Sequence, residues 1–311
     1  MITRLSRKDV LRADQFTTEE IDLIMKTARG YEQTLVEGRV LEVMAGKVLS
    51  TLFYEPSTRT RLSFETAMLR LGGQVISVAE AKSSSAAKGE SLHDTIKTVE
   101  GYADVIVLRH PQIGAAQEAA EATDKPVLNA GDGAGQHPTQ SLLDLYTILK
   151  EQGKVDGLTI ALAGDLRNGR TVHSLADLLA NYAVRFIFVS PEALRMPAAI
   201  VSRLKERGIA VSETDDLSEA LRSCDVLYMT RIQRERFADP TEYDRLKDAY
   251  VLTGAMLKGA RPGLTVMHPL PRVNEIATDV DTYAGAAYFR QAANGIPVRM
   301  ALVSLLAGRN G

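Results

Sequence analysis

Between residues 53 and 64 the chain reads FYEPSTRTRLSF, which sets Ser57, Thr58 and Thr60 beside Arg59 and Arg61. Hydroxyls and guanidinium groups at the point where an apolar, strand-like run gives way to a helical one are the makings of an anion site. The first N–H groups of a helix have no partner within it, its dipole favours negative charge there, and a guanidinium can grip phosphate with paired hydrogen bonds. The same residues would also serve as a plain N-cap flanked by solvated arginines.

Four further stretches pair polar groups with the ends of apolar runs. GQHPTQSLLDLY puts Pro138 at a first helical position, leaving His137 at the cap and Gln140 on the same end. GDLRNGRTVHSL brings Arg167 and Arg170 to another helix start, a setting suited to a carboxylate. VLYMTRIQRERF spaces Arg231 and Gln233 two apart, so an extended backbone would turn both side chains the same way. TVMHPLPRVNEI makes a proline-bracketed turn whose Leu270 carbonyl can accept from an ammonium or amide. Each is also readable as ordinary surface charge; together they favour a cleft for two anionic ligands.

Other chemistries lack their residues. GDGAGQ (131–136) has neither the dinucleotide glycine spacing nor a phosphate-loop lysine. The histidines His93, His110, His137, His173 and His268 show no ligand spacing, so no metal is expected, and no G-x-S-x-G elbow is present. The lone cysteine, Cys224, precludes an internal disulfide and reads as a small buried apolar residue.

The elements that must position these groups alternate. KVLSTLFY (47–54) reads as a buried strand, Phe64, Ala67, Met68 and Leu71 share a helical face, GG at 72–73 stops that helix, and QVISV resumes as a strand. DVIVLR (104–109) and KPVLNA (125–130) continue the series. After EQGKVDG a second series runs through LTIALAG, VRFIFVS, IAVSET and DVLYMT, each pair separated by a helical stretch. Such alternation implies α/β architecture: two doubly wound parallel-sheet domains joined by helices, one at roughly 138–150, with the active site in the cleft between them. Ligands in open sheets of this kind bind beyond the carboxyl ends of the strands, where the polar motifs fall. AKSSSAAKGES (81–91) reads as a mobile loop.

At 311 residues and 45% hydrophobic content the chain has ample material for such cores. A net charge of -2 without a basic stripe or cationic amphipathic segment argues against nucleic-acid and membrane partners. The N-terminus lacks the apolar core of a signal peptide, which assigns the chain to the cytoplasm.

STRTR, KGESLHDT, RHP, NAGDGAGQHPTQSLLDL, GDLRNGRTVHSL, MTRIQRERF and HPLPR stand in the order and approximate spacing of the transcarbamoylases. From about residue 50 to the C-terminus the chain resembles that family, on its aspartate-using branch, and YFRQAANGIPVRMALVSLL (288–306) resembles the family's last helix. The resemblance implies transfer of the carbamoyl group of carbamoyl phosphate to the amine of L-aspartate, giving N-carbamoyl-L-aspartate and phosphate early in pyrimidine biosynthesis. It implies a carbamoyl-phosphate domain over 1–137, completed by the C-terminal helix 289–311, and an aspartate domain over 138–288. Ser57, Thr58, Arg59 and Thr60 would hold the phosphate; Thr60, Arg109 and His137 would meet the carbonyl oxygen, and Gln140 the carbamoyl amide. Arg170, Arg231 and Gln233 would take the aspartate carboxylates, framed by the Leu270 carbonyl and Pro271, with domain closure bringing the ligands together. No cofactor is implied. Ser84 and Lys88, in SSSAAKGE, would enter from a neighbouring subunit and also reach the ligands, predicting a homotrimer with shared sites. At Ala87, where some members carry a second lysine, the chain departs from the pattern. A regulatory chain or a dihydroorotase-type partner is left open.

Two rivals can be weighed on residues. The ornithine-using branch would need an acidic pocket and a cysteine in the turn that here reads HPLP; this chain offers Arg231 and Gln233 instead. A non-catalytic scaffold would have no need to keep every polar position that the chemistry uses.

Overall fold

The apolar runs become two parallel sheets, and the order of strands within each sheet decides which loops become neighbours. The computed structural model describes residues 2–80, 85–232, 237 and 239–308. The chain divides into two compact units, Met1–Leu143 with Asn294–Gly311, and Asp144–Ala293.

The first unit holds strands β1 (Val48–Phe53), β2 (Gln74–Val78), β3 (Val105–His110) and β4 (Val127–Asp132), in the order β2, β1, β3, β4 with every pairing parallel. Its helices are α1 (Thr18–Val36), α2 (Thr58–Arg70), α3 (Leu92–Val99), α4 (Ala115–Glu121) and the start of α5 (Pro138–Gln152). β1 and β3 are almost wholly buried while edge strand β2 is largely exposed, as expected of inner and outer positions. The other edge, β4, is buried because Val10 pairs with it: the Val10 N–H donates to the Val127 carbonyl at 2.9 Å and the Val10 carbonyl accepts from Asn129 N–H at 2.8 Å. Gly72 ends α2 at φ +83°, and a Cβ there would lie 2.4 Å from the Leu41 carbonyl, so only glycine fits the stop.

The second unit holds β5 (Thr159–Ala163), β6 (Arg185–Val189), β7 (Ala210–Thr214), β8 (Val226–Met229) and β9 (Thr265–Met267), in the order β7, β6, β5, β8, β9, again all parallel. Its helices are α6 (Arg170–Leu179), α7 (Ala198–Glu206), α8 (Leu217–Ser223), α9 (Pro240–Leu246), α10 (Gly254–Leu257) and the start of α11 (Tyr288–Ala307). Ala161, Leu227, Met229, Leu252, Val266 and Cys224 share its core. Burial pushes the Cys224 thiol up to about 12, so it is an inert apolar group, as its sequence context predicts.

The strands and helices expected from periodicity are present with small shifts at their ends. Strand β9 and helices α1, α9 and α10 lie outside those expectations. β9 has only three residues before a proline-rich turn, too few to show a period. α1 is announced by a capping box: Thr17 Oγ1 accepts from Glu20 N–H, and Glu20 Oε2 accepts from Thr17 N–H. No described helix is long and apolar enough to cross a membrane.

Candidate active site

In the first unit the carboxyl ends of three adjacent strands, β1, β3 and β4, carry the polar motifs. β1 runs into Ser57, the N-cap of α2, with Thr58, Arg59 and Thr60 in that helix's first turn. The Ser57 hydroxyl makes no capping bond to its own helix. The first-turn N–H groups therefore keep their capacity for a ligand. Thr60 is buried, while Thr58 and Arg59 are exposed.

Ion pairing separates the two arginines of this turn. Arg61 lies 3.6 Å from Glu65, whose carboxylate also accepts from Thr51 and Ser77 hydroxyls at 3.1 and 2.8 Å. Arg59 has no hydrogen-bond or ion-pair partner among the described residues, which leaves it as the group able to take an anion. Behind them, Arg299 of α11 donates to Ser63 Oγ at 2.7 Å and stacks 4.9 Å from the Phe64 ring centre, pinning α2 from within its own unit.

β3 delivers Arg109, buried at 8% exposure, whose Nη1 donates to the Ala130 carbonyl at 3.1 Å and whose Nη2 sits 3.2 Å from Glu55 Oε2. Glu55 precedes the hydroxyl turn by two residues, so an acid in this basic stretch orients an arginine from the neighbouring strand. Nothing local in the sequence marks Glu55 for this role, because its arginine lies on another strand. β4 leads through GDGAGQ to His137, whose carbonyl accepts from Gln140 N–H at 3.0 Å, with Pro138 opening α5. His137 and Gln140 are both buried. The glycines of that stretch serve packing: a Cβ on Gly133 would meet the Pro111 carbonyl at 2.4 Å, and one on Gly135 would meet Asp132 Oδ1 at 2.8 Å. Asp132 latches the loop, accepting from Gln136 N–H at 2.6 Å, Gly114 N–H at 2.9 Å and Asn129 Nδ2 at 3.2 Å. Lys88 is exposed at the end of a 3-10 turn, Ser85–Lys88; Ser84 lies outside the described residues.

In the second unit the motifs again follow adjacent strands, β5, β8 and β9. After β5, Gly164 presses on the end of β8, where a Cβ would lie 2.2 Å from the Thr230 carbonyl at φ +115°. Arg170 opens α6 and is buried, whereas Arg167 is exposed and reaches the Ala193 carbonyl at 3.5 Å. The loop between them is held by Asp165, which accepts from Asn168 N–H at 3.0 Å, and by His173, whose Nε2–H donates to the Leu166 carbonyl at 2.7 Å. Burial lowers the His173 pKa, keeping that ring neutral at pH 7. After β8, Arg231 is half-buried; Gln233 lies outside the described residues.

After β9 comes the turn of Leu270 and Pro271, joined by a cis peptide bond. Leu270 has φ +54°, the one positive value among described residues other than glycine. His268 Nδ1 accepts from Leu270 N–H at 2.8 Å, so the ring proton sits on Nε2, 2.6 Å from Glu275 Oε1. Glu275 Oε2 accepts from the N–H groups of Val273 and Asn274 at 3.0 and 3.1 Å. Burial pushes the Glu275 carboxyl up, but the bonds from His268 and the backbone outweigh it and hold it below the usual carboxylate range. Arg272 is engaged, with two bonds to Asp281 at 2.5 and 2.6 Å.

Comparison with known proteins gives two family matches: residues 8–150 match the aspartate/ornithine carbamoyltransferase carbamoyl-P binding domain, and residues 156–306 the Asp/Orn binding domain of the same family. The aspartate carbamoyltransferase catalytic subunit of Thermococcus kodakarensis is 58% identical over 301 residues, 97% of each chain. An aspartate transcarbamoylase from Trypanosoma cruzi in complex with carbamoyl phosphate and aspartate superposes with a TM-score of 0.92 at 41% identity, covering 96% of both chains. The same enzyme with carbamoyl aspartate and phosphate gives a TM-score of 0.91 at 42% identity, over 96% of this chain and 95% of that one.

Two outcomes follow from the geometry alone. Asp132→Ala strands two loop N–H groups and the Asn129 side-chain amide and should cost about 2–3 kcal/mol, read as a lower denaturant midpoint; an unchanged midpoint contradicts the latch. Because the folded-state pKa of Glu275 is depressed, its contribution is present above its unfolded-state pKa and is lost as pH falls through the folded value. Glu275→Gln should therefore flatten the acid limb of a Tm-against-pH curve, and an unaltered limb would refute the assignment.

Proposed function

The chain belongs to the aspartate/ornithine carbamoyltransferase family, and we propose that it transfers the carbamoyl group of carbamoyl phosphate to the amine of L-aspartate, giving N-carbamoyl-L-aspartate and phosphate. The observation that carries this reading is the two groups of residues at adjacent strand ends, a hydroxyl-rich helix start with a buried arginine, histidine and glutamine in one unit, and Arg170 and Arg231 after neighbouring strands in the other. Relatives of like sequence across nearly the whole chain bear the corresponding name, and one of like fold was captured with both substrates.

Carbamoyl phosphate binds with its phosphate at the start of α2, held by Ser57, Thr58, Arg59 and Thr60. Thr60, Arg109 and His137 donate to the carbonyl oxygen, and the Gln140 side chain receives the carbamoyl amide. Arg170, Arg231 and Gln233 bind the carboxylates of aspartate, and the Leu270 carbonyl, beside Pro271, accepts from its amine. The amine nitrogen attacks the carbamoyl carbon. Donors already fixed around the oxygen stabilise the negative charge that develops on it, so no side-chain nucleophile is required. Collapse breaks the bond between that carbon and the bridging oxygen, and the departing phosphate takes the proton that the amine loses. The Glu55 carboxylate beside Arg109 keeps that guanidinium oriented before substrate arrives.

Ser84 and Lys88 complete the site from a neighbouring copy, which makes the working form a homotrimer with shared sites. An exposed lysine at the end of a short turn supports that reading, since it has nothing to bind on its own chain among the described residues. The reaction serves pyrimidine biosynthesis and is assigned to the cytoplasm, a setting in which an unpaired, buried Cys224 is at home.

Arg231→Ala should raise the KM for aspartate about tenfold or more while the affinity for carbamoyl phosphate, read by equilibrium dialysis, stays within about twofold. Equal damage to both ligands would contradict the division of labour. Inactive Arg59→Ala chains mixed and reassembled with inactive Lys88→Ala chains should regain activity, because some hybrid sites then hold both intact groups; no recovery would refute the shared site.

A further inference from the structure

The turn after β9 is fixed by more polar machinery than a surface turn needs, and all of it is buried. His268 and Glu275 are 1% and 4% exposed and close the turn upon itself through Leu270, Val273 and Asn274 N–H groups. The turn is also tethered from outside. The His268 N–H donates to Gln291 Oε1 at 2.9 Å, Gln291 Nε2 donates to Asp144 Oδ1 at 2.6 Å, and Tyr228 donates through its hydroxyl to Asp144 Oδ2 at 2.9 Å. Asp144 and Tyr228 are fully buried and Gln291 is 1% exposed.

Burying an imidazole, two carboxylates, an amide and a phenol in an apolar core is costly, and apolar groups of similar shape would often be as stable. What such a network supplies when fully satisfied is a single geometry. Here its inner end grips the backbone N–H of Leu270, the residue held at positive φ. Without the acceptor at His268 Nδ1, that leucine loses its tie and relaxes toward ordinary backbone angles. Its carbonyl would turn with it.

We propose that His268 and Glu275, tethered through Gln291 to Asp144, are positioning residues for the carbamoyl transfer assigned above: they aim the Leu270 carbonyl at the acceptor amine, and so select an amine-bearing dicarboxylate. This rests on the assignment of aspartate as acceptor. Gln291 and Asp144 act through His268 and touch no substrate.

The test uses the full-length chain with His268→Gln, which removes the Nδ1 acceptor but retains an amide donor towards Glu275. Aspartate is compared with succinate, the same dicarboxylate without an amine. The expected result is a fall of about tenfold or more in kcat/KM for aspartate, while the inhibition constant of succinate, in the presence of carbamoyl phosphate, moves by no more than about twofold. Equal weakening of both, or unchanged aspartate kinetics, overturns the proposal, because a merely structural role would not distinguish an amine. If His268→Gln does not fold, Glu275→Gln serves in its place, with retained phosphate binding as the marker of a folded chain and the same two outcomes deciding. The wild-type chain is the control on the underlying assignment. Turnover of aspartate by wild type with no selective loss in the variants sinks this inference alone, whereas no turnover by wild type sinks the assignment and this inference with it.

Discussion

Parallel strands can be joined only by crossovers, so every strand of such a sheet ends at the same edge, and the loops that leave that edge are neighbours however far apart they are in sequence. That constraint does the assembling in each unit. Residues 57–60, 109 and 137–140 are separated by dozens of positions along the chain, yet they follow β1, β3 and β4, which lie side by side. The same holds for Arg170, Arg231 and Leu270 after β5, β8 and β9. Remove the parallel order and no local feature of these motifs would bring them together.

Within that frame, carboxylates decide which cations are available to a ligand. Glu65 engages Arg61, Asp281 engages Arg272, and Glu55 braces Arg109 from the neighbouring strand. Arg59 has no such carboxylate among the described residues. The pairs differ in kind: those of Arg61 and Arg272 join side chains within one stretch of chain, whereas Glu55 holds the buried guanidinium of Arg109 across from the neighbouring strand, as a group meant to be oriented before a ligand arrives would require. Loops are treated in the same way, Asp132 latching the path to His137 and Asp165 the path to Arg170. A short polar side chain that accepts backbone N–H groups is the recurring means of shaping a loop here.

Much of this was legible in the sequence because it rests on period and punctuation. Phe64, Ala67, Met68 and Leu71 mark α2, Gly72 ends it, and Pro138 opens α5, and the structure places each where local rules put it. What escaped depends on partners distant in sequence. Glu55 looked like one more turn residue because its arginine is on another strand. His268 shows in sequence only as a histidine without ligand spacing at the head of the HPLP turn, since its partners, Glu275 and Gln291, are defined by how the turn folds back and by where α11 passes. β9 is too short to carry a pattern and is made a strand by its pairing with β8. Arg167 and Arg170 look equivalent in sequence, and only burial separates them.

The claim at the centre of this account is that the arginines of the second unit choose a dicarboxylate acceptor. It is tested most directly by giving the purified chain carbamoyl phosphate with aspartate and ornithine together at equal concentration, with no added metal, and identifying the ureido products by mass. The account predicts carbamoyl-aspartate as essentially the sole product. Carbamoyl-ornithine in comparable or greater amount would contradict it, and would mean that Arg170 and Arg231 do not set the acceptor.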